Sequence, residues 1–188
     1  MNLVLEPTST AQWHTLVSAA EQAAEQQLDE TLESYLVFLL MRFASRPDMA
    51  SRVMAIDYLE GVQTRGRLGQ ERLRDVGDHC LLFSGLFPRL AERRLVRLSY
   101  FVGLGRSAYA ELGERIAHGG ARMYAQLAQG FVNLMDVLQA MRHLQQGAQP
   151  DLLQAIEVWQ ETGSKAAHAK LKTVVAAHDL QTGDRRSH

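Results

Sequence analysis

Cysteine occurs once in the 188 residues, which excludes an internal disulfide and any thiolate metal cluster and fits a reducing compartment. Lysine and arginine are missing from residues 1–41, a stretch that holds six acidic groups. A regulator that grips DNA through a basic helix-turn-helix near its start would not be built this way. The longest unbroken apolar run, residues 35–41, is far too short to cross a bilayer. The opening MNLVLEP has neither the basic start nor the long apolar core of a secretory signal, so a cytoplasmic chain is expected. No histidine has Glu three residues before it or a second His four residues away, so the di-iron and zincin spacings are both missing. No metal and no cofactor is expected. Strict alternation with β-branched enrichment is not found in any window, so neither strand nor internal repeat is expected.

What the chain does have is helical periodicity. Hydrophobic residues make up 46% and charged residues 22%, which for this length allows one sizeable core. The pattern predicts an all-α fold, a compact bundle of about seven to nine helices within one domain over residues 1–178, with a loose polar tail over 179–188. Ser9 with Gln12 forms a capping-box signature ahead of Trp13, Leu16, Val17, Ala20 and Ala24. Asp29 is placed to cap a second helix whose stripe of Leu32, Tyr35, Leu36, Leu39, Leu40 and Phe43 is widened by Val37, Phe38 and Met41, and this helix is expected to be central. Pro47 opens a third, which Gly61 is positioned to end. Later, Gly119-Gly120 precedes one long amphipathic helix marked by Met123, Leu127, Phe131, Leu134, Leu138 and Met141. Residues 147–150 break it, and Thr162-Gly163-Ser164 separates a short helix containing Trp159 from a last one.

The most distinctive stretch is residues 74–112. Leu73, Val76, Cys80, Phe83 and Phe87 recur at three- and four-residue steps and predict a helix that stops near Ser84, with Gly85 as a left-handed cap and Pro88 in the first turn of the next helix. Phe101, Leu104, Ala108 and Leu112 then resume the spacing. Gly103, Gly105 and Gly113 interrupt it at about 1 kcal/mol each relative to Ala, which predicts close backbone packing. Asp78 sits on the margin of the apolar face and is expected to be a buried acid paired with Arg93, Arg94 or Arg97. Cys80 reads as a small hydrophobe rather than a nucleophile. The pair Asp75/Asp78 with His79 could offer oxygen and nitrogen to a cation, but ion pairing with nearby arginines is the better reading.

These residues also carry a resemblance. Gly77, Asp78 and Leu81, then Gly85-Leu86-Phe87-Pro88, then Arg93-Arg94, Val96, Tyr100, and Gly105 with Ala108-Tyr109 make a run similar to that of a family of uncharacterised bacterial helical proteins. Residues 35–43, YLVFLLMRF, are a second and weaker match. The family has no established activity, so the resemblance implies a shared helical fold and transfers no catalytic role.

Charge is distributed unevenly. Residues 42–106 hold twelve Arg against seven acids, so the acidic start is expected to lie against the Arg-rich centre, within one chain or across a homodimer. Between Arg65 and Arg97 there are eight Arg, four acids and no Lys, and aromatics are not interleaved among them as a single-strand stacking platform requires, so internal pairing or an acidic protein partner is expected rather than nucleic acid. No residue set has the spacing of a catalytic site. The chain reads as a non-enzymatic helical protein acting through protein contacts, the alternative being an enzyme or small-ligand carrier with a pocket between helices.

Overall fold

A computed structural model describes residues 9–45, 54–88, 96–117, 119–146 and 152–173. Pro47, Arg93, Arg94, the break at 147–150 and the tail at 179–188 lie outside the described residues. Nine helices are present within them: α1 (Ser9–Ala24), α2 (Glu30–Ser45), α3 (Met54–Gln63), α4 (Gly66–Leu86), α5 (Leu98–Arg115), α6 (Gly120–Gln129), α7 (Phe131–Gln146), α8 (Leu152–Thr162) and α9 (165–173). No strand occurs among the described residues, so the fold is all-α as the periodicity predicts. No described helix is long and apolar enough to cross a membrane.

The centre of the bundle is α4, not α2. Every residue from Val76 to Gly85 is buried, and a helix buried on all sides must have neighbours all round. Those neighbours are α3, α5 and α7; α1 closes one side against α2 and α7, and α5 also packs on α6 and α8. The α2 stripe is narrower than its composition suggests, because Phe38 is 61% exposed while Leu36, Val37, Leu39 and Leu40 are buried.

Helix ends follow local chemistry. At the end of α1 Glu25 takes φ 52°, and the Gln26 and Glu25 N–H groups donate to the Glu21 and Gln22 carbonyls at 3.0 and 3.2 Å. This is a Schellman ending with a side chain where glycine is usual. Asp29 caps α2 as its position predicts, accepting from the Leu32 N–H at 2.9 Å. The helix of the central stretch does not stop at Ser84. It runs on to Leu86, and Gly85 is a helical residue facing α7, where an added Cβ would lie 2.4 Å from that of Leu138. Close packing, not a left-handed cap, is what that glycine serves. Nor is the stretch after Gly120 one helix: Gly130 divides it, with φ −85° and ψ 7°. Phe131, Leu134 and Leu138 beyond the break are fully buried.

Arg115, in the last turn of α5, donates to the carbonyls of Gly61 and Thr64 at 3.0 and 3.1 Å through Nη1 and to that of Val62 at 2.6 Å through Nη2. These belong to the last turn of α3 and the residue just past it, where carbonyls have no intrahelical donor. One guanidinium from a distant helix thus caps α3.

Candidate functional site

Four helices meet at one carboxylate. Tyr35 and Arg42 are seven residues apart and therefore share a face of α2, which lies toward Asp78 of α4. Asp78 is fully buried. Its Oδ1 accepts from the Tyr35 hydroxyl at 2.6 Å and from the Tyr109 hydroxyl of α5 at 2.7 Å, and its Oδ2 accepts from Arg42 Nη2. The rings of Tyr35, Tyr109 and Tyr124 of α6 surround it, each pair about 6 Å apart between centroids. Gly77 makes room for this arrangement. A Cβ there would sit 2.4 Å from the Tyr109 ring and push its hydroxyl off the carboxylate.

Burial drives the Asp78 carboxyl upward from the ordinary carboxylate range; Arg42 and the two hydroxyls pull it back, and the net direction is up. On Arg42 burial opposes the charge, but Asp78 overcomes it and the guanidinium is held above its usual value. These directions pull apart, one toward a neutral acid and one toward a charged pair. Three donors converging on two oxygens favour the carboxylate, which can accept all three. Burial, reinforced by Asp78, raises Tyr35 and Tyr109 well above the usual phenol range, so both remain protonated donors. The arrangement is a saturated polar lock. A carboxylate spent on three internal donors, with no exposed surface, is not placed to take a proton from a substrate.

Of the arginines expected to pair with Asp78, Arg93 and Arg94 lie outside the described residues and Arg97 is corrected. Arg97 is exposed at the N-cap of α5 with no side-chain cap, and Arg42, thirty-six residues before Asp78, takes the place assigned to it. Cys80, Gly85, Phe87, Pro88 and Gly105 of the distinctive stretch serve packing. Cys80 is buried with its Sγ 3.3 Å from Met54 Sδ, and burial pushes its thiol far above the usual range. Gly105 abuts both Cys80 and Phe131. Phe87 ends α4 with its ring edge-on to Phe43 at 5.9 Å, Pro88 is buried, and Tyr100 is an exposed residue beside Phe101. Among the described residues no three His, Cys, Asp or Glu side chains gather as a metal would need.

A second acid, Asp136, is buried as well, and no motif spacing points to it. Asp136 of α7 accepts from the Ser164 hydroxyl at 2.6 Å and from the Ala166 N–H at 3.4 Å, while Ser164 Oγ caps α9 by accepting from the Ala167 N–H at 3.0 Å. Burial pushes its carboxyl up to about 6, against the pull of these donors and of Lys170. A lone acid in the apolar run VNLMDVLQAM was the available signal.

Among the described residues, three of the acids near the start have partners of their own. Glu33 pairs with His14 at 3.2 Å, Glu21 accepts from the Leu28 N–H, and Asp29 accepts from Gln126. Arg67, Arg72 and Arg74 pair with Glu71, Glu60 and Asp75. That is the internal pairing expected of the central arginines. Between α5 and α6 runs an open groove of about 830 Å³ lined by Gly103, Ser107, Ala110, Ala121 and Ala125, with Arg106, Arg122, Glu114 and Gln129 among its polar residues. No family model, no curated protein and no solved structure matches the chain.

Proposed function

We propose that the protein is a non-enzymatic, cytoplasmic helical protein that acts through protein contacts, with a second copy of itself as partner. The observation that carries this is the exposure of large apolar side chains on helices whose buried faces are already complete. Phe38 on α2, Ile56 and Leu59 on α3 and Leu68 on α4 are 55–61% exposed. Ile56 and Leu59, three residues apart, stand together on one face, and adjoining exposed apolar groups of this kind mark interaction surfaces. The described buried acids, meanwhile, are committed to internal donors. Static light scattering across the micromolar range tests the proposal. A mass of twice the chain at the upper concentrations is expected, and a strictly monomeric mass throughout would overturn it.

The groove between α5 and α6 supports a second reading as a small-ligand carrier, since its volume falls in the range of ligand sites. Its open form and its shortage of large apolar walls fit a protein contact better.

A further inference from the structure

The groove is lined by small side chains and arginines, and the exposed face of α3 carries large apolar side chains and an acid. Small side chains of α5 and α6 leave a channel along the helix pair, and at Gly103 an added Cβ would meet nothing within 4 Å. A glycine in the middle of a helix weakens it, and close packing is the usual return. Gly105 and Gly113 receive that return within the chain, from Phe131 and from the α6 backbone; Gly103 does not. On the other side, α3 presents Ile56 and Leu59, large and 57% exposed. The charges match as well. Among the described residues Arg106 and Arg122 of the groove have no acidic partner; α3, MAIDYLEGVQ, has no basic residue, its Glu60 pairs with Arg72, and its Asp57 has no basic partner there.

Position makes a reciprocal contact feasible. Through Arg115 the end of α3 is tied to the last turn of α5, and Glu114 beside it lines the groove. The end of α3 thus lies close to one end of the groove, and a two-fold axis between two copies can bring each face to the other's groove. We propose that the α5–α6 groove receives α3 of a second copy, with Ile56 and Leu59 seated among its small residues and Asp57 opposite Arg106 or Arg122. This rests on the self-association proposed above and names the surfaces that carry it.

The test is complementation between two variants of the full-length chain. Gly103→Leu fills the groove, and Leu59→Glu spoils the face; both positions are open, and circular dichroism on each variant checks that the fold is kept. Each alone should shift light scattering to the monomer mass, weakening association at least tenfold. Mixed in equal amounts they should form a heterodimer, because the groove of the face variant still matches the face of the groove variant. Should one variant misfold, the wild-type chain with the pair Asp57→Lys and Arg122→Glu, made singly and together, supplies the same reading through loss and rescue. A wild-type dimer unaffected by the variants would overturn the assigned surfaces while leaving self-association intact. A monomeric wild type would overturn both.

Discussion

Replacing Asp78 by alanine strips the acceptor from two tyrosine hydroxyls and an arginine at once. That carboxylate accepts from Arg42 Nη2 and from both hydroxyls, so its loss leaves the guanidinium half-buried without its counter-ion. Breaking a buried pair by removing one member costs about 3–5 kcal/mol, and the orphaned hydroxyls add to this less than additively because all three donors share one carboxylate. A chain of this size changes its melting temperature by about 2–4 °C per kcal/mol, so the expected fall is roughly 6–20 °C. Thermal unfolding followed by circular dichroism measures it. A double-mutant cycle gives the sharper reading: Arg42→Ala with Asp78→Ala should cost clearly less than the sum of the two single changes. A fall below about 2 °C for Asp78→Ala, or strict additivity in the cycle, would refute the lock.

Other outcomes follow from the same geometry. The Asp136 carboxyl, raised to about 6, binds its proton more tightly folded than unfolded. Its contribution to stability is therefore full below about pH 4 and lost as pH rises through about 6, a change on the order of 3 kcal/mol, and Asp136→Asn should flatten urea-denaturation stability over that window. Gly105→Ala places a methyl 2.5 Å from the Phe131 ring and should cost about 1–3 kcal/mol by chemical denaturation, whereas an unchanged midpoint would mean the helices have room to part. Glu25→Gly removes a side chain from a left-handed backbone and should raise stability by up to about 1 kcal/mol in the same assay; a loss would show that the Glu25 side chain contributes something the backbone does not reveal. Cys80 should resist a maleimide reagent in the folded protein and react only on unfolding, so rapid labelling under native conditions would contradict its burial.

Fold class was legible because helical spacing is a local signal, and Asp29, Gly119-Gly120 and Gly163-Ser164 mark boundaries by chemistry confined to one turn. Local signals mislead where packing decides. Gly85 looks like a cap until Leu138 from α7 is seen against it, and Gly130 interrupts an apolar spacing that continues on either side. The burial of Asp78 could be read from its place beside an apolar face. Its partner could not, because Arg42 stands thirty-six residues earlier on α2 while other arginines lie nearer in sequence. Even so, Tyr35 and Arg42 lie seven residues apart inside an otherwise apolar run, and that spacing of two polar groups on one face was a readable sign that something polar lay opposite. The groove had no such sign, since it depends on where α5 and α6 diverge.

The guanidinium of Arg115 closing the end of α3 sets a condition on how the chain opens and closes. The carbonyls of Gly61, Val62 and Thr64 wait on a side chain 51 to 54 residues downstream, so the last turn of α3 cannot complete its hydrogen bonding until α5 has docked. The α3–α4 hairpin and the end of α5 then behave as one unit of local unfolding. Amides near the end of α3 should exchange with solvent at the rate set by departure of α5, although the two segments are remote along the chain.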